Sequence, residues 1–136
     1  METSIKILRG LLFSVLLLVD GTIDTIASDA TQAVAGGGVT IKVTYLNPKS
    51  SDGARFQVAL DTHSVNLGSY DLKTISVLRD DAGNTFSATS VENKGNGHHR
   101  ETIVSFAKVA NGTKRVELVI KDVAEVKERI FRWDLD

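Results

Sequence analysis

The sequence predicts an all-β fold: an antiparallel two-sheet sandwich of immunoglobulin-like type, with about seven strands and an N-terminal signal segment before them. Short runs of alternating apolar and polar residues follow one another between residues 39 and 135. Turn-forming residues separate these runs, and no convincing helical pattern interrupts them. About 98 residues of this kind suit a sandwich, and the alternative fold is a small closed barrel.

The segment before the sandwich, residues 1–30, is predicted to be a signal peptide. Lys6 and Arg9 supply a positive start, the apolar block 11–19 follows, and small residues at cleavage spacings come next. The block is short for a bilayer span, so we expect no membrane span after cleavage; an uncleaved anchor or a buried N-terminal helix are the alternatives. The predicted location is therefore periplasmic or extracellular. Residues 31–38 end in three glycines and are predicted to be a flexible lead-in to the domain, which covers residues 39–136.

Each predicted strand alternates apolar with polar side chains, as a half-buried strand does. The strands are residues 39–46, 55–61, 74–79, 85–91, 102–107, 115–120 and 128–135. In the last of them Trp133 shares a face with Phe131 and Leu135, so we expect the indole to be the largest piece of the core.

The connections between the strands contain turn-forming residues, as in the segments 47–53 and 80–84 and at Asn111-Gly112. The longer segment 64–72 is less regular and is predicted to be a crossover loop. Its apolar side chains would fill the end of the core; they are Val65, Leu67, Tyr70 and Leu72.

The composition excludes several classes of function. The chain has no cysteine, which rules out disulfides, thiolate zinc sites and cysteine nucleophiles. Its formal net charge of −1 gives no sign of nucleic-acid binding. Neither a Gly-x-Ser-x-Gly nucleophile turn nor a glycine-rich phosphate loop is present in the sequence, so we expect a protein that is not an enzyme.

The three histidines lie at the ends of two predicted strands. His63 follows the second strand, and His98 and His99 precede the fifth. In the immunoglobulin order these strands are antiparallel neighbours, so the end of one lies beside the start of the other. Strand alternation turns Asp61 and His63 away from the core, and it does the same for His99 and Glu101.

Imidazole and carboxylate groups on one exposed sheet face are ligands that suit zinc or copper(II). The sequence therefore predicts a metal site formed by His63, His99, Asp61 and Glu101, with His98 as an additional ligand from the loop. The competing interpretation is a set of idle surface side chains, in which Asp61 and Glu101 pair with Arg100 at a strand end.

Three segments of the chain carry a resemblance: L-D-T-H-S at 60–64, G-H-H-R-E at 97–101 and R-I-F-R-W at 129–133. With these segments, residues 39–135 resemble an uncharacterised group of exported bacterial immunoglobulin-like β-sandwich domains. The resemblance implies an exported sandwich and draws attention to the three histidines. It implies no activity.

The expected function is an exported, non-enzymatic binding module with a surface site for zinc or copper. The alternative is a structural or adhesive β-sandwich of the cell envelope that binds no metal. In that case an exposed edge strand, such as residues 39–46, would pair with a second copy or with an envelope protein. An enzyme ranks below both.

Overall fold

Alternating side chains place one face of each long strand in the core of this computed structural model, which describes residues 30–95 and 97–135. The strands are β1 (Thr31–Gly36), β2 (Val39–Tyr45), β3 (Arg55–Thr62), β4 (Ser76–Asp80), β5 (Thr85–Ser87), β6 (Ser90–Lys94), β7 (His99–Ser105), β8 (Arg115–Val123) and β9 (Val126–Asp134). They form two antiparallel sheets with the orders β1-β2-β3-β7-β6 and β5-β4-β8-β9. The predicted all-β sandwich is confirmed. The predicted signal peptide falls almost wholly outside the described residues.

The strand order is that of an immunoglobulin domain with additions at two edges. The part β2-β3-β7-β6 matches the four-stranded immunoglobulin sheet, and β4-β8-β9 matches the three-stranded one. β1 is added beside β2, and β5 is added beside β4. The second and fifth predicted strands, β3 and β7, pair antiparallel as expected, with Asp61 opposite His99.

Residues 31–36 form an edge strand, so the predicted flexible lead-in is wrong for this segment. β1 turns into β2 through Gly37 and Gly38, whose φ angles of 60° and 80° suit a two-residue type I′ turn. A Cβ on Gly37 would lie 2.1 Å from the carbonyl oxygen of Ala124, which makes glycine a steric requirement there. The glycine run therefore builds a tight hairpin. The predicted edge strand, residues 39–46, is also wrong, because β2 lies between β1 and β3.

The predicted strand 85–91 is in fact two strands that belong to different sheets. β5 ends at Ser87, the chain crosses the sandwich at Ala88 and Thr89, and β6 begins at Ser90. The Thr89 N–H donates to the Ser105 carbonyl at 2.8 Å, which docks the crossing against β7. Alternation of apolar and polar residues breaks at this crossing, where Thr89 and Ser90 are both polar and Val91 is out of phase with Ala88. This break was the available signal.

The aromatic core lies at the end of the sandwich opposite the histidines. Trp133 is 2% exposed, as predicted, and its ring packs 5.6 Å from Tyr45 and 5.3 Å from Phe56 between centroids. The crossover segment also behaves as expected, since Leu67 and Leu72 are fully buried. It contains a 3₁₀ turn (Leu67–Ser69) and leads into the one-turn helix α1 (Leu72–Ile75). The predicted start of the third strand at residue 74 is therefore wrong, since β4 begins at Ser76. Among the described residues, no helix has the length and apolar character needed to cross a membrane.

One side of the sandwich is closed where the edge strands β1 and β9 meet. The side-chain amide of Gln32 donates to the carbonyl of Arg132 and accepts from its N–H at 3.1 Å. The guanidinium of Arg129, whose residue is 1% exposed, donates to the carbonyls of Gly36 at 2.6 Å and Val123 at 2.9 Å. Burial lowers the pKa of Arg129, because the charged form loses its hydration. These contacts tie the two sheets together along this side.

Replacing Trp133 tests which side chains of the last strand, β9, point into the core. Trp133→Ala should lower the free energy of unfolding by about 3–5 kcal/mol, because a large cavity would remain in the core. Ile130→Ala, on the same strand but 39% exposed, is the control and should cost less than about 1 kcal/mol. Urea denaturation measures both values. Equal losses in the two variants would contradict the burial of the indole.

Candidate functional site

The candidate site lies on the outer face of the five-stranded sheet, where β3 ends and β7 begins. Asp61 is directly opposite His99, and Ala59 is opposite Glu101. Side chains opposite each other on neighbouring strands have Cβ atoms about 5 Å apart, so Asp61 and His99 are in direct reach. The small side chain of Ala59 leaves room on this face, and Glu101 uses it to approach the His99 ring from the other side.

The imidazole of His99 is held between two carboxylates. Its Nδ1 is hydrogen-bonded to Oδ1 of Asp61, and its Nε2 lies 3.3 Å from Oε1 of Glu101. A carboxylate can only accept, so both contacts are hydrogen bonds when each ring nitrogen carries a proton. The arrangement therefore favours the imidazolium form of His99. The His99 side chain remains 59% exposed, which leaves the ring open to solvent and to ligands.

These contacts raise the pKa of His99 above its usual range. The hydrogen bond to Asp61 is the main cause, the hydrogen bond to Glu101 comes second, and the charges of the two carboxylates add to both. Partial loss of hydration acts in the opposite direction and is outweighed. His99 therefore stays protonated at pH values where a free histidine would be largely neutral.

The other two histidines lie at the same end of the sheet. His63 and His98 line a cleft of about 440 Å³ together with Asp61 and His99. The Thr62 N–H donates to the His98 carbonyl at 3.0 Å, which continues the pairing of β3 with β7 beyond the strands. Glu101 lines a second cleft of about 240 Å³, which shares Asp61 and His99 with the first. All five predicted site residues thus border two adjoining clefts.

Thr62 fixes the backbone that carries His63, and sequence reasoning did not single it out. Its buried hydroxyl donates to the Gly38 carbonyl at 2.8 Å and accepts the N–H groups of Ser64 and Val65 at 3.2 and 3.1 Å. A threonine at the end of a strand that bonds to the following N–H groups is a recognised turn former, and that was the available signal.

Arg100 does not pair with the site carboxylates, so that part of the competing interpretation is wrong. It is opposite Leu60, which points into the core, and its guanidinium therefore leaves the outer face. On the inner side of the sheet, the Arg100 guanidinium donates to the carbonyls of Leu67 at 2.9 Å and Tyr70 at 2.6 Å, and to Oδ1 of Asn93 at 3.1 Å. Arg100 anchors the crossover segment beneath the histidine cleft.

The donor set fits a transition metal in chemistry, although it is not arranged around an ion as it stands. In the described part of the chain, no three His, Asp or Glu side chains are already grouped as a metal site. Both nitrogens of His99 contact carboxylates, so an ion would have to replace one of these contacts and displace a proton. Imidazole and carboxylate remain suitable ligands for zinc and copper(II).

Comparison with known proteins gives no match to a family model, a curated protein or a solved structure. The resemblance to exported bacterial domains therefore stays a prediction. Sandwiches of this architecture carry many unrelated functions, so a function has to be inferred from the site itself.

The raised pKa of His99 predicts a specific pH dependence of stability. A group whose folded pKa is raised contributes stability that is fully present below its unfolded pKa, about 6.5, and is lost as pH rises through the folded value. The difference in unfolding free energy between wild type and His99→Ala should therefore be largest near pH 6 and shrink towards pH 9. Asp61→Asn, which removes the main cause, should flatten this dependence. Denaturation at several pH values measures it, and a constant difference would contradict the two-carboxylate contact.

Proposed function

We propose that this protein is an exported, non-enzymatic binding module that holds one divalent transition-metal ion, zinc or copper(II), on the outer face of its larger sheet. The observation that carries the proposal is the in-register pairing of Asp61 with His99 at the edge of a cleft that His63 and His98 also line. Three imidazoles and a carboxylate around one cleft form a ligand set typical of these metals.

The position of the clefts suggests a role for each residue. His63, His98 and Asp61 border the same cleft as His99, so the ion would bind on the Nδ1 side of the His99 ring. Glu101 lies on the other side and accepts the Nε2–H, which fixes the ring and its tautomer. Metal-bound histidines commonly donate their second ring N–H to a carboxylate in this way. Glu101 is therefore proposed as a positioning residue and the other four as ligands.

Export is supported by the order of features in residues 1–30: positive charge, apolar block, then small residues. N-terminal sequencing of the mature protein should give a start between Ser28 and Thr31. A later start at Gly36, which the small residues at 33–35 would also allow, would remove β1 and its ties to β9. An intact Met1 in a soluble cytoplasmic fraction would contradict export.

Metal titration tests the binding proposal. Isothermal calorimetry with zinc chloride should show one site in the wild-type protein. His63→Ala and His99→Ala should each remove most of the affinity, and their effects should not add, because both ligands serve one ion. Glu101→Ala should weaken binding about 10–100-fold, as loss of a ligand's hydrogen-bond partner does, and Glu101→Gln should recover part of it. Glu128→Ala, an exposed carboxylate on the smaller sheet, is the control.

The affinity should fall with decreasing pH. The ion and the proton compete for the Nδ1 of His99, whose raised pKa means that competition begins above the ordinary histidine value of about 6.5. Unchanged titrations in both the His63 and His99 variants would refute the site. An absence of binding in the wild type at pH 8 would refute metal binding altogether.

The second candidate is a structural β-sandwich that binds no metal. It is favoured by the observation that both nitrogens of His99 already have carboxylate partners. In this case the cluster ties β3 to β7 across the open end of the sheet. The two candidates separate in the titration, because His99→Ala would then change stability and no metal affinity.

A further inference from the structure

The outer edge of β6 is the most accessible sheet edge in the described residues. β6 is the terminal strand of the five-stranded sheet and pairs only with β7. Four of its five residues are exposed, and Val91 is half-buried. An edge of this kind presents unpaired N–H and C=O groups that can pair with another strand.

The other three edges in the described part of the chain are less available. β1 and β9 face each other, and the Gln32 amide already satisfies both backbone groups of Arg132. Arg129 closes the same side further along, through its bond to Gly36. β5 has only three residues, so it offers few backbone groups with which another strand could pair. A strand that adds to this domain would therefore add at β6.

The charges on β6 fit a second copy of the same strand. Glu92 and Lys94 both lie on the outer face, since Lys94 is opposite Glu101 and Glu92 opposite Ile103. No salt bridge among the described residues involves Glu92 or Lys94. Residues opposite each other in a continuous antiparallel sheet point to the same face, so a two-fold axis has to pass midway between one residue and its own copy.

Among the registers centred on Val91, Glu92 and Asn93, only one sets opposite charges against each other. With the axis at Glu92, the two copies of this carboxylate would face each other, which is unfavourable. With the axis at Asn93, Glu92 of each copy lies opposite Lys94 of the other, and two ion pairs form. The Asn93 side chain does not block this approach, because it accepts bonds from Arg100 at 3.1 Å and Thr102 at 3.0 Å within its own domain.

We propose that β6 is a dimerisation edge, at which two copies of this chain pair antiparallel about Asn93 and join their larger sheets into one. In this register residues 92–94 of β6 pair with each other, which is a small interface, so the dimer belongs to the transient class that buries less than about 1,200 Å². The pairing places both histidine sites on one continuous face. It requires no metal and does not depend on the metal proposal.

Charge reversal at β6 tests this dimer. Sedimentation equilibrium with EDTA present, from about 10 μM to about 1 mM, covers the range in which a weak complex becomes populated. The average mass of the wild type should rise with concentration. Glu92→Lys and Lys94→Glu should each weaken association at least tenfold, because each replaces two attractions with two repulsions. The double variant should associate like the wild type.

The controls carry the same charge changes on β9: Glu128→Lys matches the first variant and Lys127→Glu matches the second. Both should associate like the wild type. Hydrogen exchange should also show protection of the β6 amides that increases with concentration. A wild type that stays monomeric, single variants that associate normally, or a double variant that does not recover would each overturn the proposal. Association that disappears with EDTA would instead indicate an ion-bridged dimer and would overturn it as well.

Discussion

The geometry of the histidine site depends on the register between β3 and β7. The inward side chains Phe56, Val58 and Leu60 are fully buried, and each contributes about 1.5–3 kcal/mol through burial. The contact of His99 with Asp61 lies on the exposed face, where water and salt screen it, so it is too weak to set the register. A slip of one residue would turn the whole apolar set outward. The core therefore determines which groups meet on the outer face, and the site follows from it.

This dependence explains why part of the site could be predicted from the sequence. Alternation predicted that Asp61 and His99 point away from the core, and the immunoglobulin strand order predicted that their strands are neighbours. Both predictions agree with the structure. The clamp of His99 between two carboxylates could not be foreseen, because it needs side-chain distances and the room left by Ala59. Arg100 was misplaced because it was considered as a neighbour in sequence, although its partner Leu60 already pointed to the inner side.

The errors in the fold have a common cause, which is that a local pattern can support two structures. The run Gly36–Gly38 suits a flexible linker and a type I′ turn equally well, and only the approach of Ala124 decides between them. Residues 85–91 have the composition of one strand, with a single break in alternation at Thr89 and Ser90, yet Ala88 and Thr89 carry the chain from one sheet to the other. In both cases the deciding contact comes from a segment distant in sequence, which periodicity does not contain.

The bonds of Gln32 and Arg129 along the side formed by β1 and β9 have a consequence for growth. A sheet that is open at both edges can add molecules without end, as fibrils do. Here one flank is already occupied by the protein's own side chains, so any molecule that joins at the opposite flank presents a blocked end to the next. Such a flank cannot accept a further strand. On the larger sheet it leaves only the β6 edge for strand addition, so an assembly formed there would end at two copies.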